Sequence, residues 1–310
     1  MTSPLAAAVE PSRTQKLRAG LAYALAAQLS WGFIAFFFKA LGHVGAWEIL
    51  AHRVIWSVVF LGGLLAWQGR WREGLAALRD RRSMFTLMLT MLLIGQNWFT
   101  FIWAVTHDVV REASLGYYIN PLVNVFLAFV FLRERLRRAQ WVAVGIAFVA
   151  VVLMTVQLGR LPIVSLALAV SFALYGLLRK TMRVDALVGL MLETTMLLPI
   201  AVGYLWWIRS TGDLAFGSVD GTTDGLLILG GLVTALPLLW YTNGARRLNY
   251  TTIGILQYIA PTFQFLSAVI AFGEPFGGAQ AVAFGLTWTA LAVYTVDSVR
   301  HARRARPHAA

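Results

Sequence analysis

The 310-residue chain contains no cysteine, which removes disulfides and thiolate metal sites from consideration. It is also poor in charge: 13% of its residues are Asp, Glu, Lys or Arg, against about 25% in soluble proteins. That deficit, beside 59% hydrophobic residues, excludes an ordinary water-soluble domain. The histidines His43, His52, His107, His301 and His308 are scattered without metal-ligand spacing, so no metal and no cofactor is expected. There is no P-loop, which argues against direct ATP drive. A serine–histidine–acid constellation is also missing, as is any polar stretch long enough for a catalytic domain outside a membrane.

What the chain has instead is length in its apolar runs. The mean hydropathy is +0.69. Runs of about 20 apolar residues, enough to cross a bilayer, occupy 19–41, 47–68, 84–105, 114–132, 140–158, 162–179, 186–208, 225–243, 251–272 and 278–297. The polar, basic N-terminus "MTSPLAAAVEPSRTQKLR" lacks a small-residue cleavage site, so the first run is expected to be a retained helix rather than a signal peptide. The net charge of +12 does not point to nucleic acid, because the basic residues sit in short segments between the apolar runs.

Those segments give an orientation. With the N-terminus in the cytoplasm, inside segments hold Arg70, Arg72, Arg79, Arg81 and Arg82, then Arg133, Arg135, Arg137 and Arg138, then Arg179, Lys180 and Arg183, and so on to Arg300, Arg303, Arg304 and Arg306. Outside segments hold only Arg111, Arg160 and Arg209. This is the positive-inside pattern, and one helix too many or too few would scramble it. The expected fold is therefore an all-α integral membrane protein with ten transmembrane helices and both termini cytoplasmic. The segment "RWREGLAALRDRRS" suits either a short helix on the inner membrane surface or a basic loop that fixes orientation.

The chain also repeats itself. Residues 118–154 match 258–294 through Tyr118/Tyr258, Ile119/Ile259, Pro121/Pro261, Glu134/Glu274, Gln140/Gln280 and Gly145/Gly285. Leu25/Leu166, Ser30/Ser171 and Lys39/Lys180 extend the match to the first and sixth spans. Two five-helix units follow, at 19–158 and 159–298, with tails at 1–18 and 299–310. Five is odd, so the second unit crosses the membrane in the opposite sense. Inverted repeats of this kind underlie alternating access in many transporters.

The stretches "LAHRVIWS", "QNWFTFIWAV", "EASLGYYINPLVNV" and "QYIAPT" resemble the RarD family. RarD proteins belong to the EamA-type branch of the drug/metabolite transporter superfamily, and the resemblance runs from about residue 18 to 298. It implies two inverted EamA units in a bacterial inner-membrane permease, whose relatives export amino acids and other metabolites. It supplies no list of catalytic residues.

Candidate site residues come from the cost of polarity in hydrocarbon. An arginine at mid-span costs about 2.5–3.5 kcal/mol on insertion scales, so an ionisable residue there is a functional candidate by default. Arg53, in "WEILAHRVIWSVVFLGGLLAW", reads as a clamp for a carboxylate, phosphate or other anion; the plain alternatives are a structural ion pair or a snorkelling side chain. Glu48 and His52 are spaced to share one helix face, His52 as a substrate-binding candidate and Glu48 as a coupling or counter-charge candidate. Glu193 reads as a proton carrier, an amine site, or a fixed counter-charge to Arg53 or Lys39. Lys39 has a snorkelling alternative near the outer interface. Trp98, Tyr118, Asn120 and Tyr258 are expected to line a cavity for an amphipathic solute, with packing as the plain alternative. Pro121 and Pro261 are candidate hinges, since each removes a backbone donor.

The combined expectation is a secondary transporter of small metabolites or drugs, with export as the expected direction, working by alternating access. Its partners would be a small-molecule substrate, the lipid bilayer and a coupling proton, with no oligomer required. A non-transporting membrane enzyme or a receptor is the alternative.

Overall fold

The computed structural model describes residues 12–107, 110–159, 161–271, 273 and 277–304. Parts of both expected tails, the loop residue Arg160 and the repeat residue Glu274 lie outside that set. The described chain is helical throughout. Its elements are α1 (Arg13–Ala40), α2 (Ala46–Trp67), α3 (Trp71–Arg79), α4 (Arg81–Thr106), α5 (Val110–Phe131) and α6 (Arg138–Leu158). They continue with α7 (Ile163–Thr181), α8 (Ala186–Thr211), α9 (Gly221–Arg247), α10 (Tyr250–Leu256), α11 (Ile259–Leu266) and α12 (Gly278–Arg304).

Among the described residues nine segments are long and apolar enough to cross a membrane, α10 and α11 counting together as Tyr250–Ala271. The expected fourth span is represented by a shorter apolar helix, Leu115–Phe131, inside α5. Its first turn carries Arg111 and Glu112, which shorten the apolar part without ending the helix.

Several helices outrun their apolar windows. α1 starts at Arg13 because Ser12 caps it: its hydroxyl accepts from the Gln15 amide at 3.2 Å, while Gln15 Oε1 accepts from the Ser12 amide at 2.8 Å. The basic segment after α2 forms a helix, α3, with Gly74 and Ala77 buried and Trp71, Leu75 and Leu78 exposed. Arg70 anchors it, donating to Glu73 at 2.6 Å and reaching Asp185 at the start of α8 at 3.0 Å. Its hydrogen bonds to Glu73 hold that carboxyl below the usual range.

Pro261 leaves a visible mark. Its ring would clash with the carbonyl four residues back, at Gln257, and the helix is interrupted at Gln257–Tyr258, between α10 and α11. A π-helical turn, Ser267–Ala271, follows. Pro121, its counterpart in the sequence repeat, sits in the unbroken helix α5.

The helices pack in a definite pattern. α2 lies against α8 and α9, α6 against α12, α5 against α7 and α10, and α1 against α9 and α11. The largest buried cluster joins α2, α4, α7, α8 and α9 through residues such as Leu61, Leu87, Leu190 and Leu238. Large apolar side chains such as Phe85, Phe126, Ile200 and Trp206 stay exposed, as a lipid-facing surface requires. Small residues set the closest approaches. A Cβ at Gly231 of α9 would lie 2.3 Å from the Trp56 carbonyl carbon and 2.6 Å from the Ser57 nitrogen. The Ser57 hydroxyl uses that closeness to donate to the Gly231 carbonyl at 3.0 Å.

Because the obstruction is backbone, Gly231→Ala must push α2 and α9 apart. It is expected to cost about 1–3 kcal/mol and to lower the melting temperature in detergent. Gly203→Ala on α8, where a Cβ meets nothing within 4 Å, is the control and should leave melting nearly unchanged.

Candidate functional site: a cavity around Arg53

A cavity of about 320 Å³ opens among α1, α2, α4, α5, α7, α9 and α11, with Gln257 at the break between α10 and α11. Arg53 projects into it from α2. Its Nε donates to the Thr234 hydroxyl of α9 at 2.7 Å. Its guanidinium carbon stands 5.3 Å from the Phe38 ring centroid and 5.6 Å from that of Trp98, within reach of cation–π attraction. Among the described residues no carboxylate lies within ion-pair distance of it. A Cβ at Gly230 would meet Arg53 Cγ at 3.2 Å, so glycine there leaves the arginine stem its room.

The remaining wall is aromatic and amide. Trp31, Phe101, Tyr117 and Phe172 supply rings, and Gln28, Asn97, Asn120, Gln257 and Gln264 supply amides. Most of the amides are held in place. Asn97 donates to the Leu168 carbonyl and the Ser171 hydroxyl, each at 2.9 Å. Asn120 donates to the Ala169 carbonyl at 2.8 Å and accepts from Asn124, which also donates to Gln257. Gln264 donates to the Trp31 carbonyl at 2.9 Å. These bonds satisfy part of each amide and fix which way the rest points. A larger groove of about 760 Å³ along α5, α6 and the start of α7 is almost wholly apolar, with Thr155 its lone hydroxyl, and offers a polar solute little.

Of the residues singled out from the sequence, Arg53, Trp98, Asn120 and Pro261 line the cavity. Tyr118 and Tyr258 do not. They are buried beside it, their ring centroids 6.5 Å apart, with the Tyr258 hydroxyl donating to the Tyr118 carbonyl at 3.3 Å. Pro121 is buried, and its carbonyl lies where α10 passes closest at Gly254. Glu48 and His52 lie in the first two turns of α2 and do not line the cavity. Glu48 accepts from the backbone amides of Ala215 and Phe216 at 2.9 and 3.0 Å, tying down the α8–α9 connection. His52 packs on Phe216, with Nε2 3.9 Å from Glu48. Lys39 is exposed near the end of α1.

Glu193 is fully buried away from the cavity, and its cation is Arg179, not Arg53 or Lys39. Arg179 Nη1 lies 3.4 Å from Glu193 Oε1, and its Nη2 donates to the Ala186 carbonyl at 2.6 Å. Thr90 of α4 donates to Glu193 at 2.6 Å, and Tyr175 of α7 at 3.3 Å. A Cβ at Gly189 would sit 1.9 Å from Arg179 Nη1, so that glycine is part of the arginine's site. Sequence reasoning missed Arg179, counting it among the cytoplasmic charges at a helix end. It also missed Thr234 and Gln28; a lone glutamine in the apolar α1 was a usable signal, but a threonine in α9 was not.

A polytopic helical membrane protein with a polar cavity buried among its spans belongs to the general class of solute-handling membrane proteins. Comparison with known proteins narrows the class. The EamA-like transporter family matches residues 18–156. An uncharacterized transporter of Vibrio cholerae is 45% identical, covering 94% of this chain and 98% of its own length. The protein RarD of Escherichia coli is 43% identical, covering 94% and 98%. A chloramphenicol-sensitive protein RarD of Pseudomonas aeruginosa is 31% identical, covering 92% and 96%. A crystal structure of a protein with 22% identity superposes with a TM-score of 0.69 over 92% of this chain and 99% of its own, which establishes the shared fold. The chain belongs to the RarD family of EamA-type transporters of the drug/metabolite superfamily, multi-pass proteins of the bacterial inner membrane.

The buried pair makes a measurable statement about stability. Removing one partner strands a charge, at a cost of about 3–5 kcal/mol, whereas replacing both by apolar groups is often near neutral. Arg179→Met alone should therefore lower the melting temperature in detergent more than Arg179→Met combined with Glu193→Leu. Additive losses in that double-mutant cycle would show that the two side chains are not coupled.

Proposed function

We propose that this protein is a secondary transporter that exports a small metabolite by alternating access, with the cavity around Arg53 as its substrate site. The observation that carries the reading is a cation turned into a cavity, with no carboxylate partner among the described residues. A structural arginine in a membrane span would be expected to have such a partner, as Arg179 has.

Ten spans in two inverted five-helix units account for the packing. A pseudo-two-fold axis brings equivalent elements onto each other. α2 meets α8 and α6 meets α12, each the repeat counterpart of the other; α5 on α7 mirrors α1 on α11. Equivalent side chains meet as well, Tyr118 with Tyr258 and Trp31 with Phe172 at 5.7 Å. Rocking one half against the other would expose the cavity to each side in turn. The broken backbone at Gln257–Tyr258 and the proline in α5 are the places where such a motion can be absorbed without losing helical hydrogen bonds.

Glu193 couples the motion to protons on this reading. It joins Thr90 on the first half to Tyr175 and Arg179 on the second. Protonation removes the charge that Arg179 answers and loosens α4 from α8. No lipid-linked chemistry is needed, and neither an enzyme nor a receptor explains the inverted packing.

Purified protein in liposomes tests the proposal. Counterflow of some solute from a broad metabolite panel is expected, and movement of none in either direction would sink the transport reading. Glu193→Gln should abolish the response to an imposed pH gradient while leaving exchange measurable. Full gradient-driven transport by that variant would remove Glu193 from the coupling step.

A further inference from the structure

The charges and rings that line the cavity constrain what can sit in it. Of the lining side chains, Arg53 alone is charged at neutral pH. Its Nε is committed to Thr234, so its two terminal nitrogens form the edge that can meet a planar acceptor. A guanidinium edge matches a carboxylate, which takes two parallel hydrogen bonds. A substrate carboxylate would also supply the counter-charge that no described protein group provides.

A cationic group on the substrate has no such welcome. Among the described residues the lining contains neither Asp nor Glu. The intramembrane carboxylate Glu193 is fully buried elsewhere and already held by Thr90, Tyr175 and Arg179. The Phe38 and Trp98 rings, the surfaces most suited to an ammonium, are occupied by the guanidinium of Arg53. The amide oxygens of Asn120 and Gln257 already accept from Asn124. An ammonium would enter a low-dielectric site with a like charge and no compensating anion, a costly arrangement.

The rest of the wall sets the body of the ligand. Trp31, Phe101, Tyr117 and Phe172 offer ring faces and edges around the space beside Arg53. A volume of about 320 Å³ lies at the small end of ligand pockets, roughly 300–1,000 Å³. It suits one ring and a short chain better than a large drug.

We infer that the substrate of this cavity is a small organic monoanion, a carboxylate on an aromatic or similarly apolar body without an ammonium group, held end-on by Arg53. The inference rests on the reading of the cavity as the transport site and deepens it. Cations and zwitterions are selected against by the missing acid, and short aliphatic acids by the unfilled aromatic wall.

The test uses the full chain in phosphatidylcholine nanodiscs, so that no anionic lipid competes. Four related probes are titrated at neutral pH: 3-phenylpropionate, phenylalanine, phenethylamine and propionate. Binding is followed by thermal stabilisation and by tryptophan fluorescence, since Trp31 and Trp98 face the cavity. Phenylpropionate should bind at least tenfold more tightly than each of the other three. Arg53→Gln should remove that preference, and Arg53→Lys should keep it at lower affinity. If the glutamine variant fails to fold, the ranking on the unaltered chain decides by itself. Phenylalanine or phenethylamine binding as tightly as phenylpropionate overturns the inference, as does no binding by any probe. Arg53-dependent binding without counterflow in liposomes would leave the ligand class standing and reject transport. Counterflow of other solutes with no aryl carboxylate bound would do the reverse.

Discussion

A guanidinium held inside a membrane protein must be solvated by that protein, and the interior of this chain is arranged around that requirement at Arg53. Thr234 reaches across from α9 to take Nε, Phe38 and Trp98 lie against the plane, and Gly230 leaves room for the stem. These contacts come from α1, α2, α4 and α9, so solvating one charge requires four helices to be in register. The close crossing of α2 over α9 at Gly231 is what brings Thr234 within reach. Loss of either small residue would move the acceptor before it changed any polar group.

Arg179, fully buried, and Arg53, half-buried, show two solutions to the same problem. Arg179 is neutralised within the protein: Glu193 stands 3.4 Å away, backbone takes another donor, and no exposed surface remains. Such a pair leaves no charge free to hold a solute; it specifies how α4, α7 and α8 meet, and on the proposed reading protonation of Glu193 acts through that packing. Arg53 is solvated but not neutralised. An arrangement that leaves the charge uncompensated at rest makes sense when the counter-ion arrives from outside. On the proposed reading, that difference, more than depth in the membrane, separates the structural cation from the substrate-binding one.

How much of this could be read from the chain depends on the range of the physics involved. Apolar run length is a local property, and the spans it marked are helices at nearly all their positions. The capping box at Ser12–Gln15 is just as local, and a window sensitive only to hydropathy passed over it and started α1 late. The break before Pro261 follows from a four-residue steric rule and was legible as a site of distortion. Partnerships between helices were not. Glu193 was identifiable as costly, but its true cation sits across the α7–α8 turn, disguised as one of the basic residues that mark a cytoplasmic end. Thr234 answers Arg53 from 181 positions away in the sequence, and no spacing pattern announces it. Tyr118 and Tyr258 were singled out through the repeat, and the structure uses them to join equivalent elements beside the cavity rather than to line it.

On the inverted-repeat reading, the scaffold is symmetric and the site is not, and electrostatics explains why. Apolar and amide residues can be duplicated across a two-fold axis at no cost, and they are: tyrosine meets tyrosine and tryptophan meets its phenylalanine counterpart. A cation near that axis cannot be duplicated, because its image would be a second cation across the same small cavity, and like charges in low dielectric repel strongly. The second unit accordingly carries no arginine opposite Arg53 and places its own buried charges, Arg179 and Glu193, as a neutral pair outside the cavity lining. The site is then charged in one half alone, while the packing that lets the halves exchange conformations is shared. A motion that carries α9 away from α2 must part Thr234 from Arg53. Exposure of the substrate site and loss of the arginine's own solvation are therefore linked, which favours crossing with an anion bound over crossing empty.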